Sequence, residues 1–294
     1  NGNLAKWIRF ANSLKLRLAM RISNVSPDAE RYAEEAVAHP YGVIESNADN
    51  ASLDVSQTND QNPLRWLVED YSDVHAAAEI VTYMKSFDDP RLSKYADPVT
   101  VSGQQIYAGM LSGQEDDYIN ANKSTTSNYA RTLSSDTQPS TFMSYAEQQF
   151  ILAEAAARGY IAGDAETYYK QAVRASVTEW CGDAAASAAD LTLAHPRVQY
   201  DGTIERIIEQ KWVSLFMVGF EAWCDYRRTG YPTLEIGPAC ENKNANGVAT
   251  LPTRLCYPTI SQTANEVQYR AAVERMGGKD DMLTKVWWAS GTNY

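Results

Sequence analysis

Apolar residues at three-and-four spacing open the chain. Trp7, Phe10, Leu14, Leu18 and Ile22 recur along LAKWIRFANSLKLRLAMRI, with Lys6, Arg9, Lys15, Arg17 and Arg21 elsewhere around the turn, which predicts one long amphipathic helix. A second helix follows: Ser26 caps it, Pro27 suits its first position, Asp28 and Glu30 meet the positive end of its dipole, and His39-Pro40 stops it. Together they predict a helical hairpin. From Tyr41 to Met143 the pattern gives way to Asn, Ser, Asp, Gly and Pro, interrupted by one helical stretch from about Asp73 to Phe87. Loops of this length in a compact protein are uncommon unless functional, which places the specificity surface here.

Regularity returns at Ser144, where S-x-x-E to Glu147 reads as a capping box opening YAEQQFILAEAAARG, with Gly159 to end it. A partner helix from Asp164 to about Trp180 completes a unit near the 34 residues of a tetratricopeptide repeat, and small Ala153, Ala156 and Ala172 allow close approach. Next, Ile204, Ile208, Trp212, Leu215, Phe216, Gly219 and Trp223 form a wide apolar stripe, predicting one buried helix from Thr203 to about Arg227. A loop with Pro232, Pro238, Pro252 and Pro258 leads to a second capping box, Thr263 to Glu266, and a helix ending at Gly277-Gly278.

Charge and composition narrow the function. A net charge of −11, with no basic run, repels phosphate backbones and anionic lipids, so nucleic acid is excluded as a partner. The apolar stretch from Val213 to Phe220 falls far short of the ~20 residues of a spanning helix. The opening NGNLAKW carries no initiator Met, signal core or lipid-acceptor Cys, as expected of a processed chain or an internal fragment. Cys181, Cys224, Cys240 and Cys256 are far apart without a C-x-x-C, so buried thiols or at most two bridges are expected.

No catalytic constellation is legible, and no catalytic residue is assigned. His39, His75 and His195 are isolated, without metal-ligand spacing, and no metal or cofactor is expected. Elbow, Walker and dinucleotide motifs are absent. A glycoside hydrolase needs two carboxylates, and Glu205 with Glu209 or Glu221 with Asp225 share helix faces at i,i+4, although Arg227 and Arg228 offer the second pair salt-bridge partners. Asp88-Asp89 and Asp116-Asp117 lack the spacing of a calcium loop and read as solvated turns. What remains is aromatic. Flat rings with a polar edge suit sugar faces or peptide side chains, and Trp66, Tyr71, Tyr107, Tyr118 and Tyr129 all lie in the loop-rich region as candidate ligand contacts. Trp7, Trp180, Trp212, Trp223 and Trp287-Trp288 lie on or beside helices and read as packing.

Several ordered blocks resemble one family. KWIRFANSLKLRLAMRI, FDDPRLSKYADP, MSYAEQQFILAEAAARGYI, YYKQAVRASVTEW, IIEQKWVSLFMVGFEAWCDYRRTGYPTL, LPTRLCYPTISQTANEVQYRAAV and the terminal TKVWW are similar to segments of the SusD/RagB proteins. The resemblance implies an all-α fold of tetratricopeptide-like hairpins with long irregular insertions, residues 1–294 forming one region equivalent to the C-terminal part of such a protein. It implies a lipid-anchored outer-membrane protein on the cell's outer face, which captures oligosaccharide or peptide over a SusC-like TonB-dependent transporter and makes or breaks no bond. Within it, Arg227, Arg228, Thr229 and Gly230 are expected to fix the turn after the long helix. A glycoside hydrolase and a helical-repeat protein-interaction scaffold stay open as alternatives.

Overall fold

The computed structural model describes residues 2–57, 61–71 and 74–290. The first pair of helices, α1 (Leu4–Arg21) and α2 (Ala29–Val37), pack together as the pattern predicts, and Asn3 caps α1 by accepting the Lys6 N–H at 3.2 Å. The inward face of α1 is not the predicted one. Leu16, Ala19 and Met20 are buried while Trp7, 62% exposed, and Leu18 face outward. The reason is Arg17: its guanidinium donates to the Glu147 carboxylate at 2.6 Å inside the core, which turns that side of the helix inward.

The loop-rich region holds strand β1 (Ala51–Leu53), a π-helical turn (Trp66–Tyr71), helices α3 (Ala78–Lys85) and α4 (Leu92–Tyr95), strands β2 (Val99–Val101) and β3 (Gln104–Ile106), helix α5 (Asp116–Asn122) and strand β4 (Ser140–Met143). Helix α3 is shorter than the expected Asp73–Phe87 stretch, and Asp73 lies outside the described residues. Strands β1 and β4 pair antiparallel, Ala51 opposite Met143, so the region's two ends meet over the core. The D-P-R-L segment is a buried staple rather than a solvated turn. Arg91 donates to Asp89 at 2.6 Å, to Ser176 Oγ at 2.8 Å and to Gln210 Oε1 at 3.2 Å, tying it to two later helices. Both Arg91 and Asp89 are buried, so each charge needs the other.

The helices that follow are α6 (Tyr145–Ala157), α7 (Ala165–Cys181), α8 (Ala186–Ala194), α9 (Ile204–Ser214) and α10 (Gly219–Thr229), of which α7 carries Ser176 and α9 carries Gln210. Helix α6 is central, buried from Ala146 to Ala155 and packed on α1, α7 and α9. Ser144 accepts the Glu147 N–H at 3.1 Å as a cap should, but the Glu147 side chain serves Arg17 instead of closing the box. Phe150, Tyr169, Val173 and Ile207 fill the space between α6, α7 and α9.

The single helix expected from Thr203 to Arg227 is two. The chain breaks at Leu215–Val218, with Met217 at φ 70°. Along a continuous helix Lys211 and Asp225 would stand about 21 Å apart, yet Lys211 Nζ lies 2.8 Å from Asp225 Oδ2. The ion pair requires the reversal. Arg228 then reaches Asp225 at 2.8 Å and grips Glu154 of α6 with both terminal nitrogens at 2.6 Å, all of them buried. Burial disfavours charge on Asp225, but Lys211 and Arg228 outweigh it and hold the carboxyl below the usual range. Arg227, expected to pair with Glu221 and Asp225, stacks on Trp223 and Trp288 instead. Gly230 ends α10 at φ 83°, as expected.

The C-terminal helices are α11 (Thr259–Ala264) and α12 (Glu266–Arg275), which ends at Gly277-Gly278 as expected. The capping box at Thr263 is unused, because Thr263 lies within α11 and Asn265 precedes α12. Trp287 is 67% exposed, against its reading as packing, while Trp288 lies against Arg21 and Arg227. All four cysteines are free thiols, and only Cys224 is buried.

Two outcomes follow from this packing. In urea titrations Arg228→Ala loses about 3–5 kcal/mol of unfolding free energy, since it strands Glu154 and Asp225 as buried charges. Gly230→Ala costs about 1–2 kcal/mol through its left-handed backbone alone, because an added Cβ there meets nothing within 4 Å.

Candidate functional site

In a π-turn, hydrogen bonds run from i to i+5, which brings residues five apart onto one face. Trp66 and Tyr71 are so spaced, and their rings lie 5.4 Å apart at 30°. Both face outward, 61% and 55% exposed. This turn is firmly held. The buried Asn62 side chain donates to the carbonyls of Leu133 at 2.9 Å and Ser135 at 2.7 Å, and its backbone N–H donates to Asp136 at 2.9 Å. Ser134 Oγ donates to Glu69 within the turn at 2.6 Å, and that bond keeps the Glu69 carboxyl below its usual range. An exposed aromatic pair fixed in this way loses little side-chain freedom on meeting a ligand.

The other three candidates do not join it. Tyr118 stands on α5, partly exposed. Tyr107, just after β3, lines a separate open cavity of about 460 Å³ with Lys85, Pro90 and Ile106. Tyr129 packs edge-on against Phe216 at 5.9 Å, and burial raises its phenol pKa. Phe216 in turn stacks on Tyr95 with centroids 3.9 Å apart. Tyr129 is thus one wall of an aromatic core that fills the space under the break between α9 and α10.

That break also forms a half-enclosed cavity of about 490 Å³, within the size range of small-ligand sites. Its walls include Leu64, Gln138, Thr141, Glu179, Trp180, Phe216 and Met217. Leu64 precedes the π-turn and Gln138 follows the 131–134 turn that anchors it, so platform and cavity are built on the same two segments. Glu179 accepts the Asn50 side-chain amide at 3.0 Å, and burial, with nearby Glu147, pushes its carboxyl up to about 7. The sequence reading missed this cavity. Trp180 and Phe216 fall on helical apolar stripes and read as core, and the available signal was Gly219 in the middle of a predicted helix.

The carboxylates weighed for hydrolysis are engaged elsewhere. Glu221 pairs with Arg21, Asp225 with Lys211 and Arg228, and Glu209 accepts the Tyr83 hydroxyl at 3.3 Å, while Glu205 is exposed. The histidines are dispersed: His39 and His195 each accept a backbone N–H two residues on, and His75 meets Thr126 at 3.0 Å. Among the described residues no helix is long and apolar enough to cross a membrane.

Comparison with known proteins completes the assignment. A family model described as "Starch-binding associating with outer membrane", SusD-like, matches residues 1–258. No curated protein matches. Among solved structures, a chitin-binding protein is 33% identical with a TM-score of 0.83, covering 99% of this chain and 66% of its own. A chitin-binding SusD homolog from Flavobacterium johnsoniae is 29% identical with a TM-score of 0.85, covering 99% and 65%. A SusD homolog from Bacteroides uniformis is 34% identical with a TM-score of 0.82, covering 98% and 65%. The chain spans about two thirds of the length of each. With its helical fold, its motif blocks and a family match over most of its length, the chain belongs to the SusD-like family.

Proposed function

We propose that this chain is the capture part of an outer-membrane nutrient-binding protein that takes oligosaccharide at the cell surface and passes it to a TonB-dependent transporter. One observation carries the reading: Trp66 and Tyr71 form an exposed, pre-positioned aromatic pair in the region where the regular pattern fails. Sugar rings bury their apolar C–H faces on such surfaces, while hydroxyls stay wet or meet nearby polar groups. The chitin-binding structures among the relatives favour saccharide over peptide as the ligand. Anchorage through an N-terminal lipid and association with a SusC-like barrel belong to the same reading.

The chain acts without chemistry of its own. Its i,i+4 carboxylate pairs hold helices together or face solvent, and binding followed by release is all that delivery requires.

In affinity electrophoresis through chitin- and starch-containing gels, Trp66→Ala and Tyr71→Ala each weaken retention about tenfold, equivalent to about 1.4 kcal/mol. Tyr129→Ala lowers the melting temperature and leaves the affinity of the folded fraction unchanged. Retention of a peptide panel but of no polysaccharide would overturn the saccharide reading, and release of reducing ends by pure protein would overturn the non-catalytic one. Purified from its native outer membrane, the full-length protein should bring a TonB-dependent barrel with it, and its recovery alone would refute delivery.

A further inference from the structure

The cavity beside the aromatic pair offers something that stacking on a neutral sugar does not use. Among the described residues Glu179, in the last turn of α7, has one hydrogen-bond partner, Asn50, whose own Oδ1 accepts the Tyr145 N–H at 2.7 Å. Among the described residues no cation pairs with it. Four cations of the surrounding elements are committed elsewhere: Arg17 to Glu147, Arg91 to Asp89, Lys211 to Asp225, and Arg228 to Glu154 and Asp225. The charged group acting on Glu179 is Glu147 of α6, an acid already held by Arg17, while Tyr95 of α4, whose hydroxyl donates to the Val213 carbonyl, has its own pKa raised by burial and by Glu179. A carboxylate withdrawn from water without a counter-charge is costly.

A ligand ammonium would supply that charge. The same cavity is walled by Trp180 and Phe216, whose rings pack edge-on at 5.9 Å and offer apolar surface to a sugar ring, and by the polar side chains of Gln138 and Thr141. At about 490 Å³ it holds one or two sugar rings rather than a polymer strand. A lysine side chain would meet the carboxyl but bring no hydroxyls to Gln138 and Thr141.

We propose that this cavity is a second subsite, selective for a hexosamine residue with a free amino group, whose ammonium pairs with the Glu179 carboxylate beside Trp180 and Phe216. The inference rests on the saccharide reading above and adds to it a preference for amine over acetamide. Ionic pairing needs Glu179 ionised. Because burial raises its pKa to about 7 in the free protein, the carboxylate form is lost as pH falls below neutral, and pairing with the ammonium weakens with it.

Calorimetric titration of the chain with glucosamine disaccharide and with its fully N-acetylated counterpart tests this. At pH 7.5 the amine form should bind at least tenfold tighter, and the preference should shrink several-fold at pH 5.5. Glu179→Gln should abolish the preference while leaving gel retention through Trp66 and Tyr71 intact, which separates failure of this subsite from failure of the saccharide reading. The variant removes a carboxylate that partial burial penalises, so it should melt no lower than the parent at pH 8; were it misfolded, the pH series on the parent chain would still decide. Equal affinity for the two disaccharides, a preference that survives Glu179→Gln or does not change with pH, or equally tight binding of lysine amide would overturn the proposal.

Discussion

The bidentate grip of Arg228 on Glu154 sets the arrangement of this protein. Its two 2.6 Å contacts join α10 to the buried central helix α6, and Asp225 links the same guanidinium to Lys211 of α9. Arg17 repeats the device two turns away on α6, drawing in α1 through Glu147. Buried ion pairs add little net stability over a well-packed apolar core, because desolvation offsets most of the attraction. What they do supply is direction. A misplaced helix would leave full charges unpaired in a region that water does not reach, so the relative placement of α1, α6, α9 and α10 is fixed far more sharply than apolar contacts alone would fix it.

The functional surface follows from that constraint. Pairing Lys211 with Asp225 requires the chain to reverse between α9 and α10, and the reversal projects Phe216 and Met217 away from any helical stripe. Phe216 fills the space under the loop-rich region by stacking on Tyr95, and the remaining space is the cavity that Glu179 lines. Over the same framework, Asn62 and Ser134 fasten the π-turn that displays Trp66 and Tyr71. The binding face is therefore irregular in backbone but rigid in support, as a pre-organised site should be.

Much of this was legible in the sequence. Three-and-four spacing located α1, the Ser144 cap and the Gly159 stop bounded α6 with α7 as its partner, Asn, Gly and Pro enrichment marked the irregular region, and Gly230 announced its left-handed cap. The two site residues brought together, Trp66 and Tyr71, were recognisable as loop aromatics, but their partnership was not, since it depends on a five-residue repeat that amphipathic patterning does not register. Tyr129 carried the same signal and became core, because a tyrosine's fate depends on what arrives from elsewhere in the chain, here Phe216. The split of the Thr203–Arg227 segment was hidden for a related reason: the apolar stripe continues through the break, and the force that opposes it is a long-range ion pair. The exposed stripe of Trp7 and Leu18 marks the same limit, since periodicity identifies an apolar face without saying what covers it.

The central claim is that ligand is held by the ring pair on the π-turn rather than by the other loop aromatics. A crystal structure of the chain with a bound chito-oligosaccharide tests it most directly. The account predicts a sugar ring in van der Waals contact with both Trp66 and Tyr71, at about 4 Å from their planes. A glycan seated on Tyr107 or Tyr118, with Trp66 and Tyr71 untouched, would contradict it.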